Sequence, residues 1–245
     1  MGRLTPPQLL ILSFLFVIAV GTAALSLPEA TNAPGGLSLV DSLFTATSAT
    51  CVTGLIVKDT GTFFSPFGRT VIFLLFQAGG LGIMTFSTLF AVMLGRKIGL
   101  SQSDAIRSTL DRHNIIGFKR LISYIISITL TAEALGALFL FARWRAITDW
   151  GLLKTIENAV FHSVSAFCNA GFALFSDSFV RFGADPYINL VMIGLIFFGG
   201  IGFIVIMDLL GLFYKRGPAR RLSLQSKIAL WVSFVLITAG ALLLL

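Results

Sequence analysis

Residues 44–55 read FTATSATCVTGL and residues 161–172 read FHSVSAFCNAGF. Laid over each other at a shift of 117, they match at Phe44/Phe161, Ser48/Ser165, Ala49/Ala166, Cys51/Cys168 and Gly54/Gly171. Each phrase is small, hydroxyl-bearing and closed by glycine, yet the surrounding chain is strongly apolar. Of the 245 residues 56% are hydrophobic and only 12% charged, against about 25% charged in soluble domains, and the mean hydropathy is +0.92. This composition predicts an all-α integral membrane protein with no polar region long enough to form a soluble domain.

Five apolar runs, at 8–26, 67–94, 120–142, 187–213 and 228–245, approach or exceed the roughly 20 helical residues that a bilayer core demands. The first follows Arg3 as a signal peptide would, but its apolar run is longer than the usual ~7–15 residues and more spans follow, so it reads as a retained helix. Basic residues give the orientation. Arg96, Lys97, Arg107, Arg112, Lys119 and Arg120 lie between runs two and three, and Lys215, Arg216, Arg220, Arg221 and Lys227 between runs four and five. Those links and the N-terminus are assigned to the cytoplasm. In the other links Lys58, Arg69, Arg143, Arg145, Lys154 and Arg181 are diluted by Glu29, Asp41, Asp59, Asp149, Glu157, Asp177 and Asp185, which places those links outside. The net charge of +7 is then a matter of topology and contact with anionic membrane lipid, and a nucleic-acid partner is not expected.

Both quoted phrases fall in the outward links, each at the end of an apolar stretch too short to span. Residues 38–49 and 153–166 would each make about three helical turns, roughly 18 Å, entering the membrane without crossing it. Ser38 and Asp41, and Glu157 in the first turn of the second stretch, suit the positive helix end. After Gly54 and Gly171 the chain turns polar again, at 58–62 and 176–178, as if returning to the outer surface. Non-helical backbone at this depth is tolerated only where it is buried in protein or lines a watery path. Helix C-termini carry partial negative charge, and extended backbone can turn successive carbonyls toward a cation. Glycine-rich FQAGGLGI at 76–83 and IFFGGIGF at 196–203 align Gly79, Gly80 and Gly82 with Gly199, Gly200 and Gly202, so a repeat of about 118 residues extends to residue 213. These glycines read as close-packing positions between helices, with bending beside a pore as the alternative.

TPPQ at 5–8, DSLFTATSATCVTGL at 41–55, DTGTFFSPFG at 59–68, QAGGLGIMTF at 77–86, LGRKIGL at 94–100, FHSVSAFCNAGF at 161–172 and GGIGF at 199–203 together resemble the membrane subunits of the Trk/Ktr/HKT superfamily of potassium transporters, most closely the bacterial KtrB type. The resemblance implies a potassium-channel-like fold of M1-P-M2 units (helix, re-entrant pore helix with filter loop, helix), four in one chain. Here repeat one would occupy 1–100, a cytoplasmic link 101–119, repeat two 120–214, a second link 215–227, and the first helix of a third repeat 228–245, where the sequence reads as truncated. It implies K+ uptake as the pore-forming subunit in the bacterial plasma membrane, with pore loops outside. Gly54 and Gly171 would be filter glycines. Carbonyls of Val52, Thr53, Asn169 and Ala170 would hold K+, and Thr50, Cys51, Phe167 and Cys168 would line the approach. Glycine in both slots favours potassium, whereas serine in the first slot marks some sodium-carrying members. The resemblance further implies no covalent cofactor, Na+ as a candidate stimulating ion, a homodimer, and a cytoplasmic nucleotide-binding subunit of the KtrA/TrkA kind docking on links such as 95–119 and 215–227.

Further residues carry expectations of their own. Cys51 and Cys168 occupy equivalent slots in the two repeats, so they read as buried free thiols and not as a disulfide. His162 lacks a second ligand three or four residues away and reads as packing or hydrogen bonding in preference to metal binding. Glu133, in mid-span, is either a structural hydrogen-bonding group or part of the ion path. Asp208 belongs either to the cytoplasmic interface or to an inner vestibule. No GxSxG, HExxH, P-loop or paired catalytic carboxylates occur, and an enzyme is not expected. A half-length, non-conducting scaffold and a sodium-permeable member of the same family stand as the alternative functions.

Overall fold

The computed structural model describes residues 6–95, 115–214 and 222–244. Among these the regular structure is helical: α1 (Pro6–Leu25), α2 (Leu39–Thr50), α3 (Pro66–Gly95), α4 (Ile115–Ile147), α5 (Leu152–Phe167), α6 (Pro186–Gly200), α7 (Phe203–Tyr214) and α8 (Leu224–Leu244). Among the described residues three spans are long and apolar enough to cross a membrane, within α3, α4 and α8, and α6 with α7 makes a fourth if the broken pair counts as one. Most of the basic link residues invoked for topology, 96–114 and 215–221, lie outside the described residues.

The helix ends follow local chemistry. At the start of α2 the Ser38 hydroxyl accepts the Asp41 amide at 3.1 Å, capping a helix whose first four N–H groups have no internal partner. The starts of α3 and α6 match at a shift of 120: Ser65-Pro66 and Asp185-Pro186. The Ser65 hydroxyl accepts from Gly68 N–H at 3.2 Å, and the Asp185 carboxylate from Tyr187 and Ile188 N–H at 3.0 and 3.2 Å. Proline at the first helical position loses no bond, because that amide would have no partner in any case.

Two expectations need correction. Glu157 is not in the first turn of the second short helix: α5 starts at Leu152 behind Gly151, with no acid in its first turn. The helix starts at glycine with no side-chain cap, and the Gly151 carbonyl takes both the Thr155 amide at 3.0 Å and its hydroxyl at 3.1 Å. Glu157 sits one turn later and accepts from Arg69 at 2.7 Å, tying the second short helix to the start of α3. The apolar run 187–213 is not a continuous helix either. It breaks at Ile201-Gly202, where Gly202 takes φ +90°, a left-handed conformation that other residues resist.

The chain divides into two compact units: residues 1–83 with 129–196, and residues 84–128 with 197–245. In the first, α1 packs on α2. A core of Leu25, Ala46, Ala49, Phe64, Phe76, Phe161 and Phe172 joins residues of both repeats. Phe76 stands edge-on to Phe161, with centroids 5.4 Å apart. A second core, around fully buried Trp144, collects Leu140, Ala159, Phe175, Phe182 and Ile188. In the second unit α7 packs on α8, and Asp208 accepts from Ser226 Oγ at 2.6 Å and from Ser223 N–H at 3.2 Å. Asp208 therefore stabilises the N-terminal end of α8, where negative charge is favourable.

Asp185 also accepts from Arg143 Nε at 2.9 Å. Although burial pushes its carboxyl up, the Ile188 amide, Arg143 and the Tyr187 amide outweigh that and hold it below the usual carboxylate range. A lowered folded-state value means stability that is present above the unfolded value near 3.9 and lost as pH falls through the folded one. Asp185→Ala is therefore expected to cost about 1–2 kcal/mol at neutral pH, a lost cap plus a half-exposed ion pair. The deficit should shrink toward pH 3. Thermal unfolding in detergent at both pH values checks this.

Candidate functional site

The two quoted phrases fold alike. In the first, the Val52 amide donates to Ala49 O at 3.1 Å and the Thr53 amide to Ser48 O at 2.9 Å; in the second, Asn169 donates to Ala166 O at 3.1 Å and Ala170 to Ser165 O at 2.8 Å. Each pair is a Schellman ending, which requires a left-handed residue just past the helix, usually glycine. Here that residue is Val52 or Asn169, each at φ +58°. Asparagine tolerates the conformation. For β-branched valine it is an outlier, held because neighbouring bonds over-determine it.

The strands that follow are pinned in the same way. The Ser48 hydroxyl donates to Leu55 O and the Ser165 hydroxyl to Phe172 O, both at 2.7 Å. Each serine thus bridges from the helix end to the residue past the glycine. Between these ties Gly54 lies at φ +75° and Gly171 at φ +73°. The glycines face each other: a Cβ on Gly54 would fall 3.0 Å from Gly171 Cα and 2.8 Å from Ala170 O. Among the described residues, no hydrogen bond ends on the carbonyls of Val52, Thr53, Asn169 or Ala170. Two adjacent non-helical segments, each tied at both ends and with unclaimed carbonyls, can do one kind of chemistry well. They can replace part of a cation's hydration shell.

Backbone contacts set the position of the strands. Gly79 of α3 lies so close to Thr50 that a Cβ would stand 1.9 Å from its carbonyl oxygen, and a Cβ on Gly80 would stand 2.7 Å from Cys168 Sγ. Farther out, Gly61 meets the Leu174 carbonyl in the same way. Close packing of helices through small residues is the stabilising mode available in lipid, where apolar side chains gain little from leaving the solvent.

The remaining singled-out residues have definite surroundings. Cys51 and Cys168 are free thiols as expected, but only Cys168 is buried and Cys51 is partly exposed. His162, fully buried, has its Nδ1 2.8 Å from Asn158 O and accepts the Leu174 amide at Nε2, 3.0 Å away. It stacks on Phe175 at 4.4 Å. Both ring nitrogens are engaged, Nδ1 within its own helix and Nε2 on the returning segment, in line with the packing expectation. Glu133 is buried and accepts from Gln77 Nε2 at 3.1 Å. Sequence reasoning missed the Gln77, Arg69 and Gly61 contacts, whose partners lie more than fifty residues away. It missed the Ser65 and Asp185 caps too, although a cap residue followed by proline before an apolar run was a usable signal.

A sequence model of a family described as "TrkH: Cation transport protein" matches residues 9–245. The chain is 41% identical over 228 residues to the Ktr system potassium uptake protein B of Bacillus subtilis (strain 168), covering 93% of this chain and 49% of that protein. It is 40% identical over 237 residues to the protein of the same description from Vibrio alginolyticus, covering 97% and 51%. To the potassium/sodium uptake protein NtpJ of Enterococcus hirae it is 36% identical over 243 residues, covering 99% and 52%. The chain spans about half the length of the curated relatives it matches.

Proposed function

Because the chain belongs to the TrkH family of cation transport proteins, we propose that it supplies two of four filter strands in a potassium-uptake transporter of the bacterial plasma membrane. Family membership and its apolar helices make it a multi-pass membrane protein. The observation that carries the reading is the duplicated arrangement of Schellman ending, serine tie and left-handed glycine, which leaves the carbonyls of Val52, Thr53, Asn169 and Ala170 unclaimed. Potassium crosses when such carbonyls substitute for its water, with no bond made or broken, so the reading is transport and not catalysis. Two strands make half a ring, and the other half would come from chain equivalent to the remainder of the relatives. Each unit of long helix, short helix, strand and long helix is read as M1-P-M2, with α2 and α5 as the pore helices entering from outside.

A negative-inside potential drives cations inward. Sodium as a second cargo is supported by the potassium/sodium uptake relative, and the words "Ktr system" in two relatives' descriptions support a partner in that system; that this partner is a cytoplasmic nucleotide-binding subunit and that the protein pairs as a homodimer are further parts of the proposal. Glu133 and Asp208, both satisfied by neighbouring donors, are assigned to structure, and ion coordination to the main chain.

The test is rescue of bacteria deprived of their own potassium uptake, by the full reading frame that carries these residues. The wild type should restore growth at low potassium and take up Rb+. Gly171→Asp, at equal membrane abundance, should do neither, because its Cβ alone would stand 3.1 Å from Gly54 Cα and the side chain brings a charge into the gap. Equal uptake by both would sink the filter assignment.

A further inference from the structure

Gln77, Glu133 and Cys168 close a triangle at the base of the second strand. Gln77 Nε2 donates to Glu133 Oε2 at 3.1 Å. The Cys168 thiol lies 3.5 Å from Gln77 Oε1 and 3.8 Å from Glu133 Oε1. The three come from α3 of the first repeat, α4 of the second, and the residue that ends α5. A carboxyl in mid-span is costly and is kept only where it does something. Here it is 5% exposed, and the main-chain carbonyl of the same residue accepts from Ser163 Oγ at 2.7 Å. Glu133 thus grips α5 twice, through its backbone and through its side chain.

The fit is prepared by glycine three residues on in both helices. Gln77 is followed by Gly80, against Cys168 Sγ, and Glu133 by Gly136, where a Cβ would stand 2.5 Å from Ser163 Oγ. Residues three apart share a helix face, so each polar group stands beside the gap that admits its partner. The arrangement occurs once. At the repeat shift of 117 the counterpart of Glu133 is Phe16, which is 68% exposed, and Cys51 has no such pair of acceptors among the described residues.

We infer that Gln77 and Glu133 are positioning residues that hold Cys168, and through it the Asn169–Gly171 strand, in register with Gly54, and so set ion selectivity without touching the ion. The inference rests on the filter reading above. Cys168 immediately precedes the left-handed Asn169, and Gly171 meets Gly54 only two residues later. A looser Cys168 lets the carbonyls of one strand drift against those of the other, and carbonyl spacing and number decide which dehydrated cation is accepted.

The experiment measures Rb+ and Na+ uptake by the full reading frame at matched membrane abundance. Glu133→Ala and Gln77→Ala are each expected to lower the Rb+/Na+ ratio roughly fivefold, the scale of one lost hydrogen bond. The exchanged pair, Gln77→Glu with Glu133→Gln, rebuilds the amide-to-carboxyl bond with its ends reversed and should return the ratio to within about twofold of wild type. A purely structural role would change abundance and leave the ratio alone. Single variants with the wild-type ratio overturn the inference, as does an exchanged pair no better than they are. Should the singles fail to accumulate, the exchanged pair decides: wild-type ratio supports the inference, and a lowered ratio or no accumulation overturns it. Gly171→Asp, run in parallel, separates the two readings, since only its continued uptake counts against the filter itself.

Discussion

Gly79→Ala is expected to leave little folded protein in the membrane. The added methyl carbon would stand 1.9 Å from the Thr50 carbonyl oxygen and 2.8 Å from its carbon. Both atoms are backbone at the end of α2, fixed by the Schellman bonds of the next residues, and no side-chain rotation relieves the overlap. Either α3 or α2 has to move by an ångström or more, and overpacking on that scale costs about 3 kcal/mol or more. That is a large part of a domain's total of roughly 5–15 kcal/mol. Gly82→Ala is the control, because its methyl would meet only the Phe14 ring at 3.4 Å, an ordinary contact. Fluorescence-detected size-exclusion chromatography should show a several-fold lower monodisperse yield for Gly79→Ala and nearly wild-type yield for Gly82→Ala. Equal yields would refute the close approach.

Gly54→Ala should act on transport more than on folding. Alanine at φ +75° carries a backbone cost of about 1–2 kcal/mol, which the protein can absorb. The larger consequence is local, since the methyl would press on Ala170 O at 2.8 Å and on Gly171 Cα at 3.0 Å and wedge the two strands apart. In the full reading frame, Rb+ uptake per molecule in the membrane is expected to fall by about tenfold or more, because on the proposed filter reading the misplaced carbonyls replace a hydration shell. Gly35→Ala separates the two causes. It has φ +99° with nothing within 4 Å, so it pays the backbone term alone and should transport normally. Loss of uptake in both variants would assign the effect to backbone strain and not to strand spacing.

The doubled phrase made the site legible because each copy supplied a check on the other. Cys51/Cys168 and Gly54/Gly171 fixed the register, and the structure adds that Ser48 and Ser165, already matched in sequence, make the same bond seven residues ahead. The conformation of Val52 was not legible, because valine carries no local preference for a left-handed turn and takes it only where surrounding bonds compel it. Nor were the partners of Glu133, since no periodicity records a contact to Gln77 or Cys168 in other helices. The glycine clusters are the clearest case. Gly79, Gly80 and Gly82 ride in an unbroken α3, whereas their counterparts end with α6 at Gly200 and a left-handed Gly202. Gly79 and Gly80 abut the ends of α2 and α5, while among the described residues no atom comes within 4 Å of a Cβ on Gly202. Composition alone does not distinguish a glycine that admits a neighbour from one that bends the chain.

The face-to-face meeting of Gly54 and Gly171, with Gly61 on Leu174 and Gly80 on Cys168, has a consequence for synthesis. Every one of these contacts pairs a residue of the first repeat with one made roughly a hundred residues later. At ribosomal speeds of about 5–20 residues per second the first strand waits on the order of ten seconds for its partner. Throughout that interval its polar backbone has to be shielded by the insertion machinery or by water, so the nascent chain is at its most vulnerable to quality control before the second phrase emerges.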